Sequence, residues 1–125
     1  MRIHPSPIQL YFDSIQSLFE RNPLILSYKI VRERIADVEG FTEIEASLIN
    51  NYRFNFFEYY SSTSGVLKYR YQLLNEVSKI VVRWDNAPHH PEISTFPHHI
   101  HILNSVSESP KINIRSVLDQ LPKYF

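Results

Sequence analysis

Five of the six histidines of this 125-residue chain lie between His89 and His101. Histidine changes charge nearest neutral pH, so such a cluster suits proton transfer, metal ligation or a pH-sensitive structural knot. The five come in two groups, Pro88-His89-His90-Pro91 and Phe96-Pro97-His98-His99-Ile100-His101-Ile102. Prolines on both sides of the first pair exclude regular structure there. The second group restarts as a short strand from His98 to Ile102. Alternation along it sends Ile100 and Ile102 to the core, His98 with them, and puts His99 and His101 on the opposite face. Two imidazoles two residues apart on one face are placed to act as general base and general acid, or to share one metal ion. The plain alternative is a set of surface or hydrogen-bonded loop histidines. So many titratable groups in one short stretch favour a functional site.

Arg83 and Asp85 precede the cluster and point to one side of their strand, away from Val82 and Trp84. The planar fork of an arginine holds phosphate, and an aspartate orients an imidazole by accepting its second N–H. A same-face ion pair on an exposed strand, worth little, would look identical in sequence. The candidate catalytic set is therefore His89, His90, His98, His99, His101, Arg83 and Asp85, with no cofactor required. In the alternative, His90, His99 and His101 hold a divalent metal. Arg53, Lys68 and Arg70 offer phosphate contacts for a nucleic acid, with Tyr59 as a stacking surface. Glu43 and Glu45 also belong to such a face, as an ordinary solvated sheet surface would have it. Glu58 shares a strand face with Phe54 and Phe56, which places it at a strand end or in the grip of a partner. A catalytic carboxylate is the functional option there.

Composition removes other chemistries. Thirteen basic and thirteen acidic side chains give a formal net charge of zero, against a polyelectrolyte tail or a bulk-electrostatic nucleic-acid coat. Gly40 and Gly65 are the sole glycines, too few for a glycine-rich phosphate loop. The absence of cysteine excludes a disulfide framework, a thiolate zinc site and a cysteine nucleophile. Met1-Arg2-Ile3-His4-Pro5 leads into no long apolar run, so the expectation is no targeting segment and a soluble cytoplasmic protein without membrane contact.

The elements that must position these residues follow from periodicity. Ser6-Pro7-Ile8-Gln9 reads as a helix start with Ser6 as cap and Gln9 completing a capping box. Ile8, Tyr11, Phe12, Ile15, Leu18 and Phe19 recur at helical spacing over residues 6–20, and Asn22-Pro23 ends the run. Strands follow over about 28–85. Tyr28 to Ile35 is a strand or an irregular run, and Phe41 to Ile49 alternates, with Ile44, Ala46 and Leu48 inward. Asn50-Asn51 marks a tight turn because asparagine tolerates positive φ. Tyr52 to Tyr60 is aromatic, as strands favour. Val66 to Leu74 puts Leu67, Tyr69, Tyr71 and Leu73 on one face, and Lys79 to Asp85 comes next. Residues 86–102 form the histidine-rich loop and short strand, and Ser105 to Ser109 a polar connection. A second helix over about 113–121 is capped by Asn113 and stopped by Pro122. These give an α+β single domain over 1–125: an antiparallel meander of five to six strands with both helices on its apolar face.

Arg83-Trp84-Asp85-Asn86-Ala87-Pro88-His89-His90, followed by Phe96-Pro97-His98-His99-Ile100-His101, resembles the signature of the TumE family of small prokaryotic proteins. Phe56-Phe57-Glu58-Tyr59-Tyr60 and Lys68-Tyr69-Arg70-Tyr71 resemble its strand motifs, so the likeness spans about Gly40 to Ile102. Ile100 stands where relatives often have lysine, and Asn50-Asn51 where Asp-Gly is usual. The resemblance implies a toxin encoded beside a DNA-binding antitoxin, its partner. It leaves the toxin's chemistry open. A histidine-dependent endoribonuclease acting on RNA is the expected activity; a metal-binding hydrolase of another class, or a non-catalytic protein-binding module, is the alternative. The aromatic sheet would also serve a homodimer interface. The spacing of Arg83 to His89 matches the Arg-to-His motif of HEPN-type ribonucleases as well, but that motif sits on a helix, and Pro88 breaks such a context.

Overall fold

The computed structural model describes residues 5–125; the N-terminal Met1–His4, part of the stretch read above for targeting, lies outside the described residues. Helix α1 (Pro7–Arg21) starts where the sequence places it. Ser6 Oγ accepts from Gln9 N at 3.1 Å and Pro7 occupies the first turn. The reciprocal half of the capping box is not made, because Gln9 Nε2 donates instead to Asp13 at 2.8 Å, one turn on. Ile8, Phe12, Ile15 and Phe19 form the buried stripe, each worth roughly 1.5–3 kcal/mol when removed from water.

Seven antiparallel strands follow in sequence order across one open sheet: β1 (Ile25–Ile35), β2 (Glu39–Leu48), β3 (Arg53–Ser61), β4 (Gly65–Leu74), β5 (Ile80–Asp85), β6 (His99–Ile102) and β7 (Ser105–Glu108). The stretch from Tyr28 is thus a strand, and it begins earlier, at Ile25. Asn50 and Asn51 turn β2 into β3 with φ of 61° and 60°, the positive values a right-handedly twisted hairpin demands at both central positions. Helix α2 (Ile114–Gln120) is capped by Asn113 Oδ1, which accepts from Ser116 N at 2.9 Å.

The strand count exceeds the five or six expected because Ser105–Glu108 pairs with β6 rather than forming a polar connection. Its sequence, Ser-Val-Ser-Glu, carries almost no apolar periodicity, since an edge strand needs to bury neither face fully. The pairing is made by a tight turn in which Leu103 adopts φ of 54°. That turn also leaves Ile102 exposed (40%), although alternation directed it inward. Leu67, likewise expected inside, is 44% exposed where β4 passes the end of β5.

Both helices contribute to one core on one face of the sheet. Ile44, Ala46, Leu48, Phe54, Phe56, Tyr69, Tyr71, Leu73, Val82 and Trp84 meet the α1 stripe and Ile114, Val117, Leu118 and Leu121. Gly40 sits where Ile8 of α1 meets the β1–β2 hairpin. A Cβ there would fall 2.3 Å from the Arg34 carbonyl oxygen and 3.1 Å from Ile8 Cγ2. The helices leave the other face of the sheet free, and most polar positions of β2 to β6 lie on it, Thr42 and Glu58 being buried on the helix-covered side. Among the described residues no helix is long and apolar enough to cross a membrane.

Candidate functional site

The register of β4, β5 and β6 sets out the site. Arg70 is paired with Asp85 and Asp85 with His99, while Arg83 is paired with His101. Neighbouring strands lie about 4.8 Å apart, so five chemically active side chains occupy a small patch of the helix-free face. Asp85 is its hub. Its Oδ1 accepts from Ala87 N at 3.0 Å and lies 2.8 Å from His99 Nε2; its Oδ2 lies 2.9 Å from Arg83 Nε and 3.6 Å from His101 Nε2. Asp85 and His99 are both buried.

The two β6 imidazoles are held in different ways. His99 Nδ1 is 2.8 Å from the Pro97 carbonyl oxygen, and its Nε2 faces the Asp85 carboxylate. Both partners are acceptors, so acceptors flank the ring at each of its nitrogens and fix its orientation. His101 is the opposite case. Arg83 Nη2 lies 3.2 Å from its Nε2, and a guanidinium only donates. The ring nitrogen facing it therefore accepts, and the ring is neutral. Burial first, and then the charge of Arg83, hold the His101 pKa below the ordinary 6.5.

His90 reaches this patch from the loop between β5 and β6. Its ring packs edge-on against His99 and His101, with centroids 5.0 and 5.6 Å away, and its Nδ1 is 3.4 Å from Glu92 Oε2. One nitrogen from each of His90, His99 and His101 lies within 4.8 Å of the others, a spacing that one metal ion could bridge. Local bonds order the loop. Asn86 is clamped to β4, accepting from Tyr69 N and donating to the Leu67 carbonyl, each at 3.0 Å. Successive turns close from Ile93 N to His90 O (3.2 Å) and from Phe96 N to Ile93 O (3.0 Å). The far end is fastened to β7 and the residue after it, by Ser94 Oγ donating to Glu108 and by Ser109 N donating to Thr95 Oγ1.

The structure thus brings together Arg83, Asp85, His90, His99 and His101. It sets His98 apart. That ring lies on the helix-covered face, stacked on Tyr69 at 5.8 Å with Nδ1 2.8 Å from the tyrosine hydroxyl. The alternation of the chain entering β6 accounts for the separation, so His98 lies apart from the other imidazoles. His89 is exposed, at the rim of a cleft that also takes in Lys68 and Arg70. Arg53 belongs elsewhere: it donates to Ser78 Oγ at 2.6 Å at the far end of β3. Tyr59 is half-buried, opposite Lys68 in register.

Glu58 is held by partners, one of the two options its sequence position left. It is wholly buried on the helix-covered face and accepts from Tyr11 Oη at 2.5 Å and from Tyr71 Oη. Burial raises its pKa to about 7, against the lowering effect of the two hydroxyls. The Pro97 carbonyl, Glu92 and Asn86 were not legible as participants. A main-chain acceptor has no sequence signature, and only Asn86, directly after the strand end, has the residue type expected of a turn clamp.

No curated protein and no solved structure matched the chain. A family profile described as Toxin TumE matches residues 15–124, a span that takes in every strand, the histidine loop and α2, and the chain belongs to this toxin family.

Proposed function

We propose that this toxin is a metal-independent endoribonuclease whose chemistry is carried by His101, His90 and Arg83. The observation that carries the reading is the contact of His101 Nε2 with the Arg83 guanidinium at 3.2 Å, with a second imidazole packed against the His101 ring. A phosphodiester entering the patch takes the N–H groups of Arg83, which frees His101 Nε2 for the neighbouring ribose 2′-hydroxyl. His101 accepts that proton as the 2′-oxygen bonds to phosphorus. The bond from phosphorus to the 5′-oxygen breaks, and His90 delivers a proton to the departing oxygen. The products are a 2′,3′-cyclic phosphate end and a 5′-hydroxyl end. Arg83 offsets the charge that builds on the phosphoryl oxygens. Asp85 and His99, locked to each other, orient Arg83 rather than exchange protons with substrate.

Purified protein incubated with single-stranded RNA in the presence of EDTA should yield cyclic-phosphate termini, and His101→Gln should reduce the rate by about 10² to 10⁴-fold. Intact RNA with the native protein would refute the proposal. A second reading has the spacing of His90, His99 and His101 in its favour: a divalent metal held by the three. His99 would first have to surrender its bond to Asp85 or to Pro97. Stoichiometric metal by elemental analysis, with activity lost in EDTA, selects that reading. Under either chemistry, a neighbouring antitoxin with a DNA-binding domain is the proposed partner. Co-purification of the pair, and the mass of the free toxin in solution, test that partner and the homodimer.

A further inference from the structure

A cleft of about 480 Å³ lies on the same sheet face as the imidazole cluster, between β4, β5 and the start of the histidine loop. Phe57, Lys68, Arg70, Arg83, Asp85 and His89 are among the residues that line it. Three fixed cations face one carboxylate, and that carboxylate is already engaged with His99 and Arg83. The Nε atoms of both Arg70 and Arg83 are buried without a hydrogen-bond partner; Arg83 Nε, though 2.9 Å from Asp85, is out of line for one. Both side chains nonetheless stay partly exposed, at 35% for Arg70 and 30% for Arg83, so the N–H groups that protein acceptors leave over suit an acceptor-rich ligand. The walls are already in place. Arg70 Nη2 is fixed by Asn55 Oδ1 at 2.9 Å and Glu43 Oε2 at 3.2 Å, with its guanidinium 5.7 Å from the centre of the Phe57 ring. Asn86 ties the loop wall to β4 through two hydrogen bonds. A preformed, cationic recess with one aromatic wall fits an anion that carries a flat ring.

We infer that this cleft is a nucleotide subsite for single-stranded RNA, with the phosphate next to the scissile one on Lys68 and Arg70 and its base against Phe57. The inference rests on the reading of the neighbouring cluster as an RNA-cleaving site and gives that site its strand direction, across the sheet from β4 to β6. Arg70 and His99 lie two strands apart in one row, about 10 Å, within the reach of one nucleotide step and its side-chain contacts.

The test is fluorescence anisotropy with a labelled single-stranded RNA whose riboses are 2′-O-methylated and cannot be cleaved, titrated at several salt concentrations. Lys68→Ala and Arg70→Met should each weaken binding about tenfold and flatten the slope of log affinity against log salt by about 0.7, the loss of one phosphate contact. Phe57→Ala should weaken binding about tenfold without altering the slope. Arg53→Ala, at the far end of β3, should change neither. Lys68 is exposed, so its substitution remains decisive even if Arg70→Met unfolds the sheet. Cleavage is measured separately. Probe binding through Lys68 and Arg70 with no cleavage of natural RNA would uphold the cleft and sink the catalytic reading. Cleavage with affinity and slope indifferent to both substitutions, no binding of the probe, or equally tight binding of duplex RNA would overturn the cleft.

Discussion

His101 and Arg83 define each other. Burial, and after it the charge of the guanidinium that donates to the ring, lowers the His101 pKa, so the imidazole is able to accept a proton at neutral pH. In the proposed reaction His101 is the general base and must be unprotonated, so activity should be lost as pH falls through its pKa. The rising limb of the pH–rate profile should therefore have its midpoint below 6.5. Arg83→Met removes a cation that depresses this pKa, so the midpoint should move upward even as the rate drops; an unmoved limb would exclude His101 as the base. Asp85 belongs to another class of residue because its pairing with His99 is buried. Removing one partner of such a pair strands the other. Asp85→Ala should cost about 3–5 kcal/mol in chemical denaturation, in contrast to the small loss expected at an exposed pair such as His90 and Glu92.

At the scale of elements, α1 and the centre of the sheet are joined by a carboxyl. Tyr11 from α1 and Tyr71 from β4 both donate to Glu58 on β3, and the Tyr11 ring stacks on Tyr60 at 3.6 Å. The folded pKa of Glu58 is raised to about 7 from the ordinary 4.5. Between those values the folded state binds more protons than the unfolded one, so stability falls as pH rises. The cost is absent below about pH 4.5 and complete above about pH 7, at roughly 3 kcal/mol. Glu58→Gln keeps one acceptor and offers a donor, and it does not ionise. Relative to the native protein it should gain about that amount between pH 4.5 and 7 in thermal unfolding; parallel pH curves would contradict the assignment. The β1–β2 hairpin gives a second test. Gly40→Ala drives a Cβ into the Arg34 carbonyl and should lower stability by about 1–3 kcal/mol, detectable as a reduced Tm.

Across the whole molecule, the two faces of one sheet divide the labour. Helices and aromatic side chains stabilise one face, while the other carries the charges and imidazoles and is left uncovered by the helices. This division lets chemistry be removed without the fold. Expressed without its antitoxin, the native protein should arrest growth and His101→Gln should not, while the variant is still captured by the antitoxin; a variant equally toxic would place the activity elsewhere. The faces themselves were legible in the sequence, because strand alternation fixes which side each residue takes: His99 and His101 against His98, Arg83 and Asp85 against Trp84. The Asn50-Asn51 turn and both helix caps were legible for the same reason, since each depends on residues a few positions apart. The tertiary structure decided what depends on contacts distant in sequence. It paired Asp85 with His99 through register, swung His90 over β6 on a loop fastened to β7, buried Glu58 beneath α1, and carried Arg53 away from Arg70. Local backbone preferences are written into neighbouring residues, but which charge faces which imidazole is settled only when separate strands meet.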